Sequence, residues 1–357
     1  MSPRQPARSY LSRAVVFLLL LSSCVYAQDV PKLQLIIKQR LPVAANGFVR
    51  LLATSQPQCD NAGNVYMRMA QPAPADPSVQ PVTKISADGR HVTTFSLESV
   101  PGLAPKSFID TFAFGLRGEV FAFAHNGDVP EFISFRDDGQ FDSASRIDPD
   151  IYSAQLTVFS SGEFLLRGIE SSGPSGKKRQ DPFTGIFDRN GKLLKKITLQ
   201  DDVQFKSRDD FKDAAEYRKE LRAAMEVFWS GQAFSADDGN VYLVRPSKAA
   251  LVDVLSPGGE VVRQLTLNPP DSSFKAGSVK VAGGMVVVEF LQKIPGDSQN
   301  RISQIIYSIF DTEKGEKLYD YEGPSEIIGI FACYTPNYFT FLSVDDNGLS
   351  LVHAATR

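Results

Sequence analysis

The sequence is poor in the residues from which catalytic and metal sites are built. Among its 357 residues there are three histidines, three cysteines and one tryptophan. His91, His125 and His353 lie far apart in the chain, and no pair has the spacing of zinc ligands. A Gly-x-Ser-x-Gly elbow, a P-loop and a dinucleotide-binding glycine motif are also absent. These absences favour a binding protein over an enzyme.

Positive charge is not in excess either. The 38 lysines and arginines are opposed by 41 aspartates and glutamates, and the formal net charge is −3. Nucleic-acid-binding domains are usually basic, so we expect no nucleic-acid partner. Beyond the N-terminus, no apolar run is long enough to span a bilayer.

The N-terminus has the pattern of an export signal. Arg4, Arg8 and Arg13 precede the apolar run at residues 14–21, and small residues follow. One reading is a signal peptide over residues 1–27 with cleavage after Ala27. The second is a lipoprotein signal whose Cys24 receives the lipid, which would then be the protein's membrane attachment. The third is an anchor that is not cleaved. All three readings export the protein to the periplasm, the cell envelope or the medium.

The rest of the chain repeats one pair of turns every forty to seventy residues. A glycine opens an apolar strand, and an Asp-Gly or Asn-Gly type of hairpin follows, where glycine or asparagine supplies the positive φ of a tight turn. This repetition is typical of a β-propeller. The openings are at Gly63, Gly118, Gly162, Gly239, Gly284 and, in altered form, Pro336, and the hairpins are at Gly89, Gly139, Gly191, Gly259, Gly315 and Gly348.

Six openings predict an all-β, six-bladed propeller over residues 28–357. The last copy has only three strands, whereas residues 33–41 form an extra strand ahead of blade one. We expect that strand to complete blade six in a three-plus-one closure, which leaves no open sheet edge. Two separate sheets or a sandwich is the alternative.

One insertion, between blades three and four, is predicted to be helical over about residues 207–226. Ser207 followed by Asp210 resembles a capping box. An apolar stripe at helical spacing faces one side, and it comprises Phe211, Ala214, Leu221, Met225 and Phe228. The helix either packs this stripe on the propeller or serves as a lid or partner-binding helix.

Two cysteines, Cys59 and Cys333, remain outside the leader. The repeat places both at the ends of innermost strands, in blades one and six, which adjoin at the ring closure. An oxidising compartment would allow a disulfide there. Two buried thiols that never meet are the alternative.

Loop length differs between the two faces of the predicted ring. The turns within blades are short on one face, whereas nearly every long loop falls on the other. Loops on a rigid scaffold often carry binding sites, so we expect the loop-rich face to be the working face. The long loops comprise residues 70–81, 100–106, 170–182, 200–228, 268–275 and 292–301.

Five residues are candidates for a ligand site because each begins an innermost strand near the central channel. They are Arg50, Asp110, Gln155, Trp229 and Glu326. Trp229 either stacks on a ligand or packs beneath the helix. Asp110 and Glu326 would be the ligands of a Ca²⁺ ion if the channel holds one.

The repeat Asn-x-Gly-Asn-Val-Tyr at residues 61–66, with Asp-Asp-Gly-Asn-Val-Tyr at residues 237–242, resembles the exported bacterial six-bladed propellers of the NHL-repeat-like class. That resemblance implies an interaction scaffold without a cofactor. The leading hypothesis is therefore a monomeric, noncatalytic exported propeller that binds a protein, peptide or glycan on its loop-rich face. A separate possibility is an envelope protein whose blades merely space other components. The similar gluconolactonase-like propellers imply the alternative, a Ca²⁺-dependent lactonase or esterase.

Overall fold

The computed structural model describes residues 30–44, 50–51, 56–70, 80–172, 179–199, 210–229, 231–297, 301–323, 329–346 and 348–356. These residues form six sheets around one axis, which confirms the predicted six-bladed propeller.

The chain starts with β1 (Lys32–Gln34) and β2 (Ile36–Pro42). Blade one is β3 (Arg50–Leu51), β4 (Gln58–Cys59), β5 (Val65–Ala70), β6 (Val82–Ile85) and β7 (Val92–Phe95), and blade two is β8 (Phe108–Phe114), β9 (Val120–Asn126), β10 (Val129–Phe135) and β11 (Phe141–Arg146). Blade three is β12 (Ile151–Val158), β13 (Phe164–Ser172), β14 (Arg179–Phe187) and β15 (Leu193–Lys196), and blade four is β16 (Gln232–Ser235), β17 (Val241–Pro246), β18 (Ala250–Leu255) and β19 (Val261–Leu267). Blade five is β20 (Phe274–Ala282), β21 (Met285–Lys293), β22 (Ile302–Asp311) and β23 (Lys317–Glu322), and blade six begins with β24 (Ile330–Thr335), β25 (Tyr338–Asp345) and β26 (Gly348–Ala355).

Each blade is an antiparallel meander whose first strand lies nearest the axis. In blade one this inner strand is broken into β3 and β4, and both pair with β5. The outer strand of blade four shows exposed and buried residues in alternation. In β19, Leu265 and Leu267 are buried while Thr266 between them is exposed. This period of two is typical of a strand that has one face exposed to solvent and one face buried.

The ring closes through the N-terminal strands, as predicted. β2 pairs antiparallel with β26, with Leu41 opposite Leu351, and so supplies the fourth strand of blade six. The expectation of a single strand over residues 33–41 was wrong in one respect. β1 pairs in parallel with β23 of blade five, with Lys32 opposite Asp320. Leu35, only 1% exposed, lies between the two strands and packs with the apolar residues of blades five and six.

The core of the described chain is divided into six apolar clusters, one between each pair of neighbouring blades. Aromatic rings make many of these contacts. Phe132 of blade two meets Phe187 of blade three edge-on at 5.5 Å, and Tyr307 of blade five meets Phe331 of blade six at 5.0 Å. Edge-to-face pairs add stability beyond the buried area. Blade-to-blade packing therefore holds the ring together.

The glycines of the outer hairpins serve this packing as well as the turn. Gly139 has φ 87°, and a Cβ on it would lie 2.5 Å from the Thr94 carbonyl oxygen of the preceding blade. Gly191 has φ 78°, and a Cβ there would collide with the carbonyl of Arg146. Each hairpin thus rests directly on the outer strand of the blade before it, where only glycine fits.

A disulfide joins Cys59 of β4 to Cys333 of β24, with the two Cα atoms 5.4 Å apart. It connects blades one and six at the ring closure. Cys333 lies inside β24 rather than at its end, because that strand continues to Thr335. The covalent link therefore crosses the boundary that is otherwise held by packing and strand pairing.

The insertion is the helix α1 (Ala214–Trp229). It begins later than predicted because Asp213 caps it, its carboxylate accepting a hydrogen bond from the Ala215 amide at 3.0 Å. Ser207, the predicted cap, lies outside the described residues. The predicted apolar stripe agrees only in part with the burial of its residues, because Leu221 is half-buried but Ala214 is exposed. Among the described residues, no helix has both the length and the apolar character needed to cross a bilayer.

Candidate functional site

Side chains link neighbouring inner strands around the axis, where the described residues form no strand ladder between one blade and the next. Gln58 Nε2 donates to the Phe112 carbonyl at 3.2 Å, which ties blade one to blade two. The hydroxyls of Thr157 and Ser235 lie 2.9 Å apart between blades three and four. The Val279 amide donates to Gln232 Oε1 at 3.2 Å between blades four and five. The channel wall is therefore polar and internally bonded.

The structure places two of the five predicted site residues on this wall. Asp110 and Gln155 both border a small cavity on the axis, and both lie where the strand register shifts. Arg50 begins β3, as predicted, but its side chain is not among those described. Glu326 also lies outside the described residues.

Trp229 does not begin an inner strand, and this prediction was wrong. It is the last residue of α1, and the inner strand of blade four starts three residues later at Gln232. The helix continues three residues past its predicted end at residue 226 and includes Trp229. Gln232, rather than Trp229, therefore occupies the position that faces the axis.

The surroundings of Asp110 are basic rather than acidic. His125 Nε2 lies 3.9 Å from the Asp110 carboxylate, and Arg68 Nη1 donates to the Asp110 carbonyl at 3.2 Å. Burial lowers the pKa of Arg68, and the Asp110 carboxylate opposes this shift. Within the described ranges, no three histidine, cysteine or acidic side chains cluster as metal ligands do.

The cavity beside Asp110, which we call the axial chamber, has a volume of about 90 Å³. Its polar lining includes Arg68, Asp110, Gln155, Gln232 and Lys280, all drawn from inner or second strands.

Lys280 is the most deeply buried cation of the axial chamber. Its Nζ donates to the Pro57 carbonyl at 2.5 Å and lies 5.8 Å from the Phe331 ring centre. Burial lowers the pKa of Lys280 to about 8, and Glu289 opposes this shift. The Lys280 side chain therefore extends from blade five, passes the Phe331 ring of blade six and bonds to the backbone of blade one.

Three buried chamber residues, Arg68, Gln232 and Lys280, were not predicted from the sequence, and neither was Arg167 beside them. The sequence nevertheless contains signals for the charged ones. Lys280 interrupts the apolar pattern between Val279 and Val281. Arg68 and Arg167 each stand five residues after a strand-opening glycine, directly after three apolar or aromatic residues of the strand. A charged residue in such a place must be satisfied by partners, and it therefore marks a built polar site.

A much larger cavity, about 710 Å³, opens at the end of the channel on the face with the short turns. We call it the cup. The first turns of blades one to five form its wall. The turn residues concerned are Asp60, Asn61, Leu116, Arg117, Ser160, Asp237, Asp238, Gly283 and Gly284.

The repeated Asn-Val-Tyr motif builds part of this cup. In blade one the Tyr66 hydroxyl donates to the Asp60 carboxylate at 3.0 Å, and in blade four Tyr242 donates to Asp238 at 3.0 Å. Burial, aided by these carboxylates, raises the pKa of both tyrosines, so both remain protonated donors. The tyrosine of the repeat therefore fixes the turn that precedes it.

A groove leads outward from the cup between blades two and three. A second cavity of about 400 Å³ shares Arg117, Glu119, Phe121 and Arg189 with the cup. We call this extension the rim groove. Arg117 and Arg189 are exposed, and Leu116 at the tip of the same turn is 69% exposed. The combined depression is elongated, with an apolar side chain and charges of both signs on its walls.

The cup lies on the face opposite to the predicted working face. Most of the long loops on which that prediction rests fall wholly or partly outside the described residues, among them residues 71–79, 173–178, 200–209 and 298–300. Loop length pointed to one face, whereas the cup, with a volume of about 710 Å³, opens on the other.

Comparison with known proteins yields structural similarity only. Neither the protein-family models nor the curated protein sequences contain a match to this chain. Similar solved structures include a candidate exported protein from Bacteroides fragilis, with 9% identity, a TM-score of 0.49, and coverage of 91% of this chain and 98% of that one. An aldose sugar dehydrogenase from Streptomyces coelicolor, solved with bound PQQ, has 9% identity, a TM-score of 0.46, and coverage of 92% and 100%. TolB from Acinetobacter baumannii has 12% identity, a TM-score of 0.44, and coverage of 84% and 65%. Since these TM-scores lie below 0.5, the fold rests on the strand pairing of this chain, and its function on its own residues.

Proposed function

We propose that this protein is a noncatalytic binding scaffold that holds a polypeptide segment in the cup and the rim groove. The observation that carries the proposal is the cup itself, a cavity of about 710 Å³ within the usual size range of ligand sites. Turns from five different blades surround it, so its shape is set by the whole ring. A rigid, preformed site lowers the entropy cost of binding.

The shape and chemistry of the site favour a polypeptide over a glycan. The shared residues of the cup and the rim groove make an elongated depression, which suits an extended chain. Leu116 offers an apolar contact, while Arg117 and Arg189 offer charged ones. The aromatic rings nearby are already engaged, because Phe114 stacks on Tyr66 at 4.6 Å. A sugar would therefore find few free ring faces.

We also propose that the protein works outside the cytoplasm. The arginine-flanked apolar leader at residues 1–27 supports export, with either signal-peptide cleavage or lipidation of Cys24. The disulfide between Cys59 and Cys333 supports an oxidising compartment.

Peptide selection on the immobilised protein tests the binding proposal. Selected peptides should lose about tenfold or more in affinity to Leu116→Glu and Arg189→Glu variants, since each change removes a rim contact and adds negative charge. Leu194→Glu is the matched control, because Leu194 is also an exposed leucine, 52% exposed, but lies on the outer strand of blade three. Equal affinity for all variants, or selection of glycans but no peptides on parallel arrays, would refute the proposal.

A further inference from the structure

We propose that the axial chamber is a binding site for one small oxyanion, a carboxylate, phosphate or sulfate group. The chamber is separate from the cup, although the two adjoin along the channel. Gln58 and Lys280 line the chamber, whereas the next residues, Cys59 and Val281, line the cup. The inference therefore does not depend on what the cup binds.

The charges around the chamber are predominantly positive. Arg68 and Lys280 line it, with 8% and 2% of their surfaces exposed, and Arg167, 2% exposed, lies beside it. Within the described ranges, the acidic groups that act on these cations are Asp110, beside Arg68, and Glu289, beside Lys280. Burial raises the pKa of Glu289, which moves this carboxyl towards its neutral form. Cations buried together carry a large desolvation cost, and a bound anion would offset it.

Gln232 supplies a second, independent indication. Its Oε1 accepts the Val279 amide hydrogen at 3.2 Å, and this bond fixes which end of the side-chain amide faces β20. The Nε2 donor is consequently turned away from β20. Gln232 is 8% exposed, and its Nε2 has no hydrogen-bond partner within the described part of the chain. A buried donor on the wall of a cationic cavity is suited to an anionic oxygen.

The space and the backbone fit a small anion. A volume of about 90 Å³ leaves room for one small oxyanion. Gly231 lies on the wall, and a Cβ there would collide with Gln155 Nε2 and lie 3.0 Å from Arg167 Nη1. The absence of a side chain at this position lets both polar groups approach the chamber.

Isothermal titration calorimetry of the purified protein tests the site directly. The titrants are inorganic phosphate, sulfate and acetate, each in chloride buffer of matched ionic strength, so that the three arms distinguish tetrahedral anions from a carboxylate. We expect saturable one-to-one binding of at least one of them. Gln232→Leu should weaken it by about tenfold or more, since it removes a hydrogen bond to a charged group. Lys280→Met should abolish it.

Lys317→Met is the matched control for Lys280→Met. Lys317 is also on blade five, and its Nζ also lies 5.8 Å from a phenylalanine ring, that of Phe310, but it is outside the chamber. The Lys317→Met variant should bind the anion with the same affinity as the unmodified protein. If Lys280→Met does not fold, Gln232→Leu alone decides the result. Absence of saturable binding to all three anions, or binding that Gln232→Leu leaves unchanged, would overturn the proposal.

Discussion

At the scale of single residues, the position of a residue in the repeat predicted correctly that Asp110 and Gln155 line the channel. The other residues that line it were harder to predict. Asp110 and Gln155 line the axial chamber because inner strands of a propeller converge on the axis. Trp229 was misplaced because α1 extends three residues beyond its predicted end at residue 226. Lys280 was missed because a lone charged residue in an apolar strand gives no sign of its partner. Its partner, the Pro57 carbonyl, is 223 residues away in the sequence.

The stability of the protein should depend on the protonation of Lys280. Its folded pKa of about 8 lies below the ordinary value of 10.5, so the unfolded chain binds more protons between these two pH values. The free energy of unfolding should therefore rise with pH through this window. Between about pH 7.5 and 9.5 we expect the unmodified protein to gain roughly 2 kcal/mol relative to Lys280→Met.

Urea unfolding at a series of pH values measures this difference. The comparison stays below pH 10, because tyrosines with raised pKa values, such as Tyr66 and Tyr334, make the folded state less stable above that pH. Lys317→Met should run parallel to the unmodified protein. If the unfolding free energy of Lys280→Met has the same pH dependence as that of the unmodified protein, the claim that burial lowers the pKa of Lys280 is contradicted.

At the scale of elements, the turn chemistry was the most reliable guide. Glycine at the strand openings and outer hairpins marked the blades, and β2 was correctly assigned to the closure of blade six. The structure adds a reason that no local pattern contains, since Gly139 and Gly191 rest on the preceding blade. The start of α1 was misjudged because Ser207 and Asp213 are both good caps by residue type. Only the folded chain shows Asp213 in use.

The conformational role of the turn glycines and their role in blade packing can be separated by experiment. Gly191 and Gly284 have similar φ values of 78° and 72°, so alanine brings similar backbone strain at either site. At Gly284 nothing lies within 4 Å of the added Cβ, whereas at Gly191 it meets the Arg146 carbonyl. We expect Gly284→Ala to cost about 1 kcal/mol of unfolding free energy and Gly191→Ala at least about 2 kcal/mol more.

Chemical denaturation of the two variants side by side provides the measurement. The Gly191→Ala protein should also show a lower melting temperature. Equal losses of unfolding free energy in the two variants would mean that contact with the preceding blade adds nothing to the need for a positive φ in the turn.

At the scale of the whole molecule, the ring closure is the part that a linear sequence described best. Cys59 and Cys333 were assigned to adjoining blades from the repeat alone, and the structure joins them. The working face was harder to infer. Loop length measures tolerance to insertion, whereas the cup arises from five short turns that meet around one axis. Such a cavity is a property of the ring and not of any loop.

Removal of the disulfide should destabilise the ring as a unit. The bond closes a loop with a sequence separation of 274 residues, and long loops gain most from a crosslink. We expect Cys59→Ala combined with Cys333→Ala to lose about 2–5 kcal/mol of unfolding free energy. Thermal melts of the unmodified protein with and without reductant should differ in the same direction. A double variant as stable as the unmodified protein would show that strand pairing alone secures the closure.

The most direct test of the proposed function is hydrogen exchange of the protein with and without a selected peptide. Amides that become protected on binding locate the ligand on one face of the ring. The proposal predicts protection of the cup turns around Leu116, Ser160 and Asp237, with little change on the loop-rich face. Protection confined to the long loops, with the cup turns unaffected, would contradict it and return the working face to the opposite side.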